Sequence, residues 1–175
     1  GPNTIGVISP GKSKLGIMPE YIYGKGHIGI ISRSGTLTHE TASNLTFKGY
    51  GLSTCVGIGG DSIIGMNHAD VIEEFAKDDE TDAIVLIGEI GGCSEELAAA
   101  KIKELGLKKP VCAYIAGMYA PENKKMGHAG AIVSGGMGTV KSKVAALEDA
   151  GVTVCPTLGK IVEFMEEYNT RTNGR

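Results

Sequence analysis

His27-Ile28-Gly29-Ile30-Ile31-Ser32-Arg33-Ser34-Gly35-Thr36-Leu37 joins a short apolar run to a hydroxyl-rich stretch from which a helical pattern departs. Residues 27–31 are the kind of run that is buried on both faces of a parallel sheet. Beyond Ser34 the chain presents Leu37, Thr41 and Leu45 at four-residue spacing, and the helix is expected to end at Gly49 in a left-handed cap. The same strand-then-helix unit recurs outward from this one. Residues 52–58 read as strand and 67–77 as helix, with Val71, Ile72 and Phe75 apolar; 82–87 is the next strand. The helix after it is the best signalled: Ser94 as N-cap, Glu95 and Glu96 in the first turn, Lys101 and Lys103 late, and Gly106 beyond the end. Residues 110–115 are a fourth strand, 141–150 a helix, 152–155 a fifth strand and 157–168 a closing helix.

Five strands alternating with five helices through right-handed crossovers imply a three-layer α/β/α fold, a doubly wound parallel sheet. The expected strand order is flavodoxin-like, 2-1-3-4-5. In such sheets ligands bind outside the carboxyl ends of the strands, near the point where the order reverses, here between strands 1 and 3. Residues that carry chemistry should therefore stand just after strands.

Composition agrees with one soluble globular domain. The 175 residues carry 17 basic and 20 acidic side chains, a formal charge of -3, and 42% are hydrophobic. A chain near ~150 residues buries roughly two-thirds of its unfolded surface, enough for a core without disulfides or metals. No run of ~18 apolar residues suggests a membrane span, and the mildly acidic balance argues against nucleic acid as partner. With no charged start leading into an apolar stretch, a secretory signal is not expected and the location reads as cytoplasmic. Cys55, Cys93, Cys112 and Cys155 lie far apart with no metal-binding spacing, so they read as buried thiols in a reducing compartment, with no metal site. The 27 glycines are about twice the average usage of ~7% and must serve tight turns or close backbone approach to a ligand.

Three loops after strands stand out. Ser34-Gly35-Thr36 opens a helix, and helix N-termini attract anions because their first N–H groups lack partners. Gly88-Glu89-Ile90-Gly91-Gly92 sets a carboxylate among glycines after strand 3. After strand 4 come Lys124-Lys125-Met126-Gly127-His128-Ala129-Gly130-Ala131 and then Ser134-Gly135-Gly136-Met137-Gly138-Thr139. Small neighbours leave His128 little bulk to be buried by, and Lys124 and Lys125 bring positive charge beside it. His27, His39 and His68 lack such surroundings and read as structural. One reading is phosphoryl transfer through histidine, in which one nitrogen of His128 takes the phosphoryl group, Glu89 holds N–H on the other, and the helix start stabilises the oxygens. A serine hydrolase with Ser34 as nucleophile and His128 as base is a second, although Ser32 stands where the first glycine of the G-x-S-x-G elbow belongs. A non-catalytic anion-binding or interaction module is a third, needing the helix start but neither His128 nor Glu89.

Six motifs then carry a resemblance over residues 1–168. Gly1-Pro2-Asn3, Gly16-Ile17-Met18-Pro19, Ser32-Arg33-Ser34-Gly35-Thr36-Leu37-Thr38, Gly57-Ile58-Gly59-Gly60-Asp61, Ile87-Gly88-Glu89-Ile90-Gly91-Gly92 and Met126-Gly127-His128-Ala129-Gly130-Ala131 occur in this order. The chain thereby resembles the α subunits of succinyl-CoA synthetases. The same motifs occur in their relatives: malate-CoA ligase, ATP-citrate lyase and the ADP-forming acyl-CoA synthetases, acetyl-CoA synthetase among them. The resemblance implies an acid-thiol ligase that forms an acyl-CoA through an acyl phosphate and a phosphohistidine. By motif it makes His128 the phosphorylated residue and Glu89 the carboxylate that orients it. Ser34, Gly35, Thr36, Gly127 and Gly130 become the phosphate cradle, with Lys124 and Lys125 as further anion contacts. It also implies CoA and ATP or GTP with Mg²⁺ as reactants bound mainly outside this chain. The implied partners are an ATP-grasp β subunit, in a heterodimer or heterotetramer, together with phosphate and succinate or a related acid. Residues 1–25 would be a lead-in following an absent CoA-binding domain, 26–168 the phosphohistidine domain and 169–175 a frayed tail, so that the chain alone would be catalytically incomplete. Thr4 stands where many members have Cys and His39 where they have Tyr; Lys124-Lys125 replaces an Arg pair, which keeps charge without the bidentate fork.

Overall fold

Residues 1–121, 124, 126–133 and 138–173 are described in the computed structural model, the side chains of 170–173 excepted. The elements run β1 (Gly6–Ser9), β2 (Ser13–Gly16), a 3-10 turn (Glu20–Ile22), β3 (Lys25–Ser32), α1 (Gly35–Phe47), β4 (Leu52–Gly57) and α2 (His68–Lys77). They continue with β5 (Ala83–Glu89), α3 (Ser94–Leu105), β6 (Val111–Ala116), α4 (Val140–Asp149), β7 (Thr153–Val154) and α5 (Leu158–Asn173). The sheet order is β2-β1-β4-β3-β5-β6-β7. Its last five members are parallel and are the five expected strands in the flavodoxin-like order.

The alternation of side chains along the central strands sorts the helices into two layers. Ile28 and Ile30 of β3 and Val85 and Ile87 of β5 face α1 and α5, meeting Ala42, Leu45, Ile161 and Met165. Ile31, Ile84 and Leu86 point the other way, onto Val71, Ile72 and Phe75 of α2, Ala98 and Ile102 of α3 and Leu147 of α4. Every residue of β5 is buried, as a central parallel strand covered on both faces requires.

Three expectations need correction, and one element has no counterpart among them. Within residues 1–25, β1 and β2 form an antiparallel hairpin on the sheet edge, with Val7 opposite Val56 and Ile8 opposite Cys55. Ser13–Gly16 is exposed throughout, so no buried face announces it in the sequence, and its Lys14 blunts the edge. α5 continues to Asn173 rather than fraying at 169. Cys93, not Ser94, stands at the N-cap of α3, without a side-chain cap. Ser94 lies inside the helix because its hydroxyl is taken by His68 Nδ1 at 2.8 Å. Cys93 is consequently a loop residue and exposed, whereas Cys55, Cys112 and Cys155 are buried. Among the described residues no helix is long and apolar enough to cross a membrane.

Candidate functional site

β3 and β5 are neighbours at the point where strand order reverses, and their carboxyl ends deliver Arg33 and Glu89 side by side. Arg33 Nε lies 3.1 Å from Glu89 Oε1, and both side chains are almost wholly buried. The pair is a charge contact without hydrogen-bond alignment, since neither atom has a hydrogen-bond partner among the described residues. The guanidinium also donates through Nη2 to the carbonyl of Asp61, 2.9 Å away. One side chain thus joins the loops after β3, β4 and β5.

The loop after β6 returns over these ends. His128 N–H donates to Met126 O and Ala131 N–H to His128 O, while Gly130 N–H donates to Gly60 O at 2.9 Å, which pins the loop to the one after β4. Gly91 takes φ +89°, and a Cβ there would stand 2.0 Å from Gly130 O, so this close crossing of two loops requires glycine. The result is a close contact: His128 Nδ1 lies 2.5 Å from Glu89 Oε2, and because a carboxylate oxygen can only accept, the geometry favours the tautomer with Nδ1–H as donor. In that neutral tautomer Nε2 carries the lone pair, and Nε2 has no hydrogen bond among the described residues. The imidazole is about 38% exposed, against 9% for the Glu89 side chain behind it. Burial raises the Glu89 carboxyl above its usual range, against the lowering influence of His128 and Arg33 beside it.

His128 opens on a cleft of about 440 Å³ lined also by Asn3, Thr4, Arg33, Gly35, Asp61 and Gly127. Gly35 begins α1, so an N-terminal helix turn shares the cleft with the imidazole. Ser34 and Thr36 are placed less directly. The Ser34 hydroxyl accepts Leu37 N–H as the N-cap of α1, at 3.3 Å, and neither residue lines the cleft. Among the described residues the Ser34 hydroxyl has no hydrogen bond to His128, as a nucleophile with that base would need. Gly130 is buried behind the cleft, Lys124 is exposed outside it, and Lys125 falls outside the described residues.

The profile of the family described as CoA-ligase matches residues 31–153, most of the chain. The chain belongs to the CoA-ligase family. It is 60% identical over 163 residues to the succinate–CoA ligase [ADP-forming] subunit alpha of Aquifex aeolicus, covering 93% of this chain and 53% of that protein. To the corresponding α subunit of Methanothermobacter thermautotrophicus it is 57% identical, covering 93% and 55%. The chain thus spans about half the length of the curated relatives it matches. The solved ATP citrate lyase of Methanothrix soehngenii, in complex with citrate and coenzyme A, superposes with a TM-score of 0.88 at 28% identity, over 99% of this chain and 30% of that one.

In this CoA-ligase domain three site-forming residues escaped the sequence reading. Arg33 stood inside a quoted motif without a role, although an arginine directly between a strand end and a helix start is a signal for an anchored loop. Glu95 gave no signal beyond that of a first-turn helix acid, and nothing in the sequence marked Lys143. Both are fully buried and paired with each other. Of the histidines read as structural, His68 is buried, its Nε2 hydrogen-bonded to Ile87 O, and burial lowers its pKa. His39 meets the Tyr23 hydroxyl at 2.7 Å.

Proposed function

We propose that this chain is the phosphohistidine-bearing part of the α subunit of a cytoplasmic succinate–CoA ligase. The observation that carries the reading is the His128–Glu89 contact in a cleft shared with a helix N-terminus, which leaves one ring nitrogen nucleophilic and held in place. His128 Nε2 would attack the terminal phosphorus of a nucleoside triphosphate and expel the diphosphate. The carboxylate of the acid would next take the phosphoryl group from Nε2, giving an acyl phosphate and restoring imidazole. CoA thiolate attack on that acyl carbon would release phosphate and acyl-CoA. Glu89 stabilises the positive charge that develops on the ring when Nε2 bonds to phosphorus, while the N–H groups at Gly35 face the transferred oxygens. Gly127 lines that cradle beside Gly35, Ser34 and Thr36 set the helix start next to it, and Gly130 holds the loop behind it.

CoA and the nucleotide with its Mg²⁺ are held mainly by parts outside residues 1–175, and an ATP-grasp β subunit supplies the triphosphate. Support for a partner on this side comes from Ile63, Met118, Tyr119 and Met126, exposed apolar side chains in the loops after β4 and β6. Succinate is favoured over citrate by the 60% identity to a succinate–CoA ligase α subunit, against 28% to the ATP citrate lyase.

The test mixes this chain with the β subunit and γ-labelled nucleoside triphosphate and looks for acid-labile, alkali-stable label. Label on the wild type and none on a folded His128→Asn variant is expected. Undiminished label on that variant removes the proposal, and label on neither favours a non-catalytic binding module.

A further inference from the structure

Behind Glu89 lies a buried charged array that the reaction steps above do not use. β3 ends at Ser32, whose last pairing is with Ile87, so the Glu89 N–H two residues on has no strand partner on that side. Glu95 Oε1, from the first turn of α3, accepts that N–H at 3.1 Å. The other oxygen, Oε2, takes the Lys143 ammonium from α4. Lys143 Nζ also donates to Gly92 O at 3.2 Å and to Glu96 Oε2 at 3.1 Å. Gly88 leaves room for this: a Cβ on it would stand 2.5 Å from Glu95 Oε1.

A buried ion pair of this kind is a poor stabilising device, because two desolvated charges are commonly replaceable by apolar side chains without loss. What it does supply is a fixed acceptor at one main-chain atom. We propose that Glu95, held by Lys143, is a positioning residue for the reaction: it anchors the main chain at Glu89 and so fixes the carboxylate that holds His128 in its Nδ1–H tautomer. The geometric part stands without the phosphohistidine reading, whereas the effect on rate rests on it.

Glu95→Gln tests this. An amide has one acceptor and one donor end, so whichever way it turns, either Glu89 N–H or Lys143 Nζ faces an NH₂ group. The double variant Glu95→Gln/Lys143→Met removes the second donor and lets the amide oxygen return to Glu89 N–H. The primary readout is the ¹⁵N shifts of the His128 ring in this chain, at a pH where the ring is neutral; the second is the rate of label transfer with the β subunit. Wild type should show the single Nδ1–H tautomer. Glu95→Gln should show a mixture, with labelling slowed at least about tenfold and nucleotide KM unchanged. The double variant should recover the single tautomer. A folded Glu95→Gln with the wild-type tautomer overturns the proposal, as does a double variant that keeps the mixture. Should Glu95→Gln not fold, the apolar pair Glu95→Leu/Lys143→Met, which removes the acceptor without leaving a buried charge, should show the mixture, and a single tautomer there overturns the proposal. If wild type takes no label, the phosphohistidine reading fails, and the tautomer still decides the role of Glu95.

Discussion

Gly60 and His128 are so close that a Cβ on the glycine would stand 2.3 Å from the imidazole Nδ1. The loop after β4 is therefore a wall against which the ring is set. Gly60→Ala should push the ring off Glu89, at a cost of about 1–3 kcal/mol in stability from overpacking. Label on His128 should be lost while circular dichroism stays that of the wild type; full labelling would show that the ring does not need this wall.

Glu89→Gln should separate activity from stability. The folded pKa of Glu89 is raised, chiefly by burial, against the lowering influence of His128 and Arg33. A raised carboxyl favours folding below its unfolded pKa, about 4.3, and that contribution is lost as pH rises through the folded value. Ionising this buried side chain is thus a burden on folding, which a neutral amide relieves. The variant is expected to melt at or above the wild-type temperature yet to label at least about tenfold more slowly. A large drop in melting temperature at pH 7 would contradict the sign.

Glu95 behaves in the opposite sense. Burial, the largest influence, pushes its carboxyl up, but the neighbouring His68 and the Lys143 ammonium, with the hydrogen bonds from Lys143 and Glu89 N–H, outweigh it and hold the pKa below the usual range. A depressed carboxyl contributes stability that is present above about pH 4.3 and lost as pH falls through the folded value. Glu95→Gln should be about 3 kcal/mol less stable at pH 7, as for a broken buried pair, and the difference should shrink on acidification below pH ~4. Denaturant unfolding at several pH values measures it; a gap that widens in acid is the contrary result.

Arg33→Lys keeps the charge and loses the fork that reaches Glu89 and the Asp61 carbonyl together. Labelling of His128 should slow by about tenfold at saturating nucleotide. A wild-type rate would mean that charge alone suffices at this position.

The alternation of apolar runs and helical patterns was enough to name five strands, their parallel order and the switch point between β3 and β5. That reading succeeded because central parallel strands are buried on both faces and so write continuous apolar runs into the sequence. The contact of His128 with Glu89 was legible for a related reason: both are titratable residues set among glycines at or beyond a strand's carboxyl end. The left-handed caps at Gly49 and Gly106 were legible too, and both glycines have positive φ.

Other features had no local signature. The β1–β2 hairpin is exposed along β2 and exists because β4 offers an unpaired edge at Cys55 and Val56. Arg33, Glu95 and Lys143 were indistinguishable from surface charges until four segments converged, since whether a charge is solvated or buried is settled by what packs over it, not by its neighbours in the chain. Sequence by itself determined the layered α/β sheet, because periodic burial is a local property of strands and helices. Only the tertiary structure decided how the imidazole is aimed, because that depends on three loops, brought together by the sheet, meeting within hydrogen-bond distance.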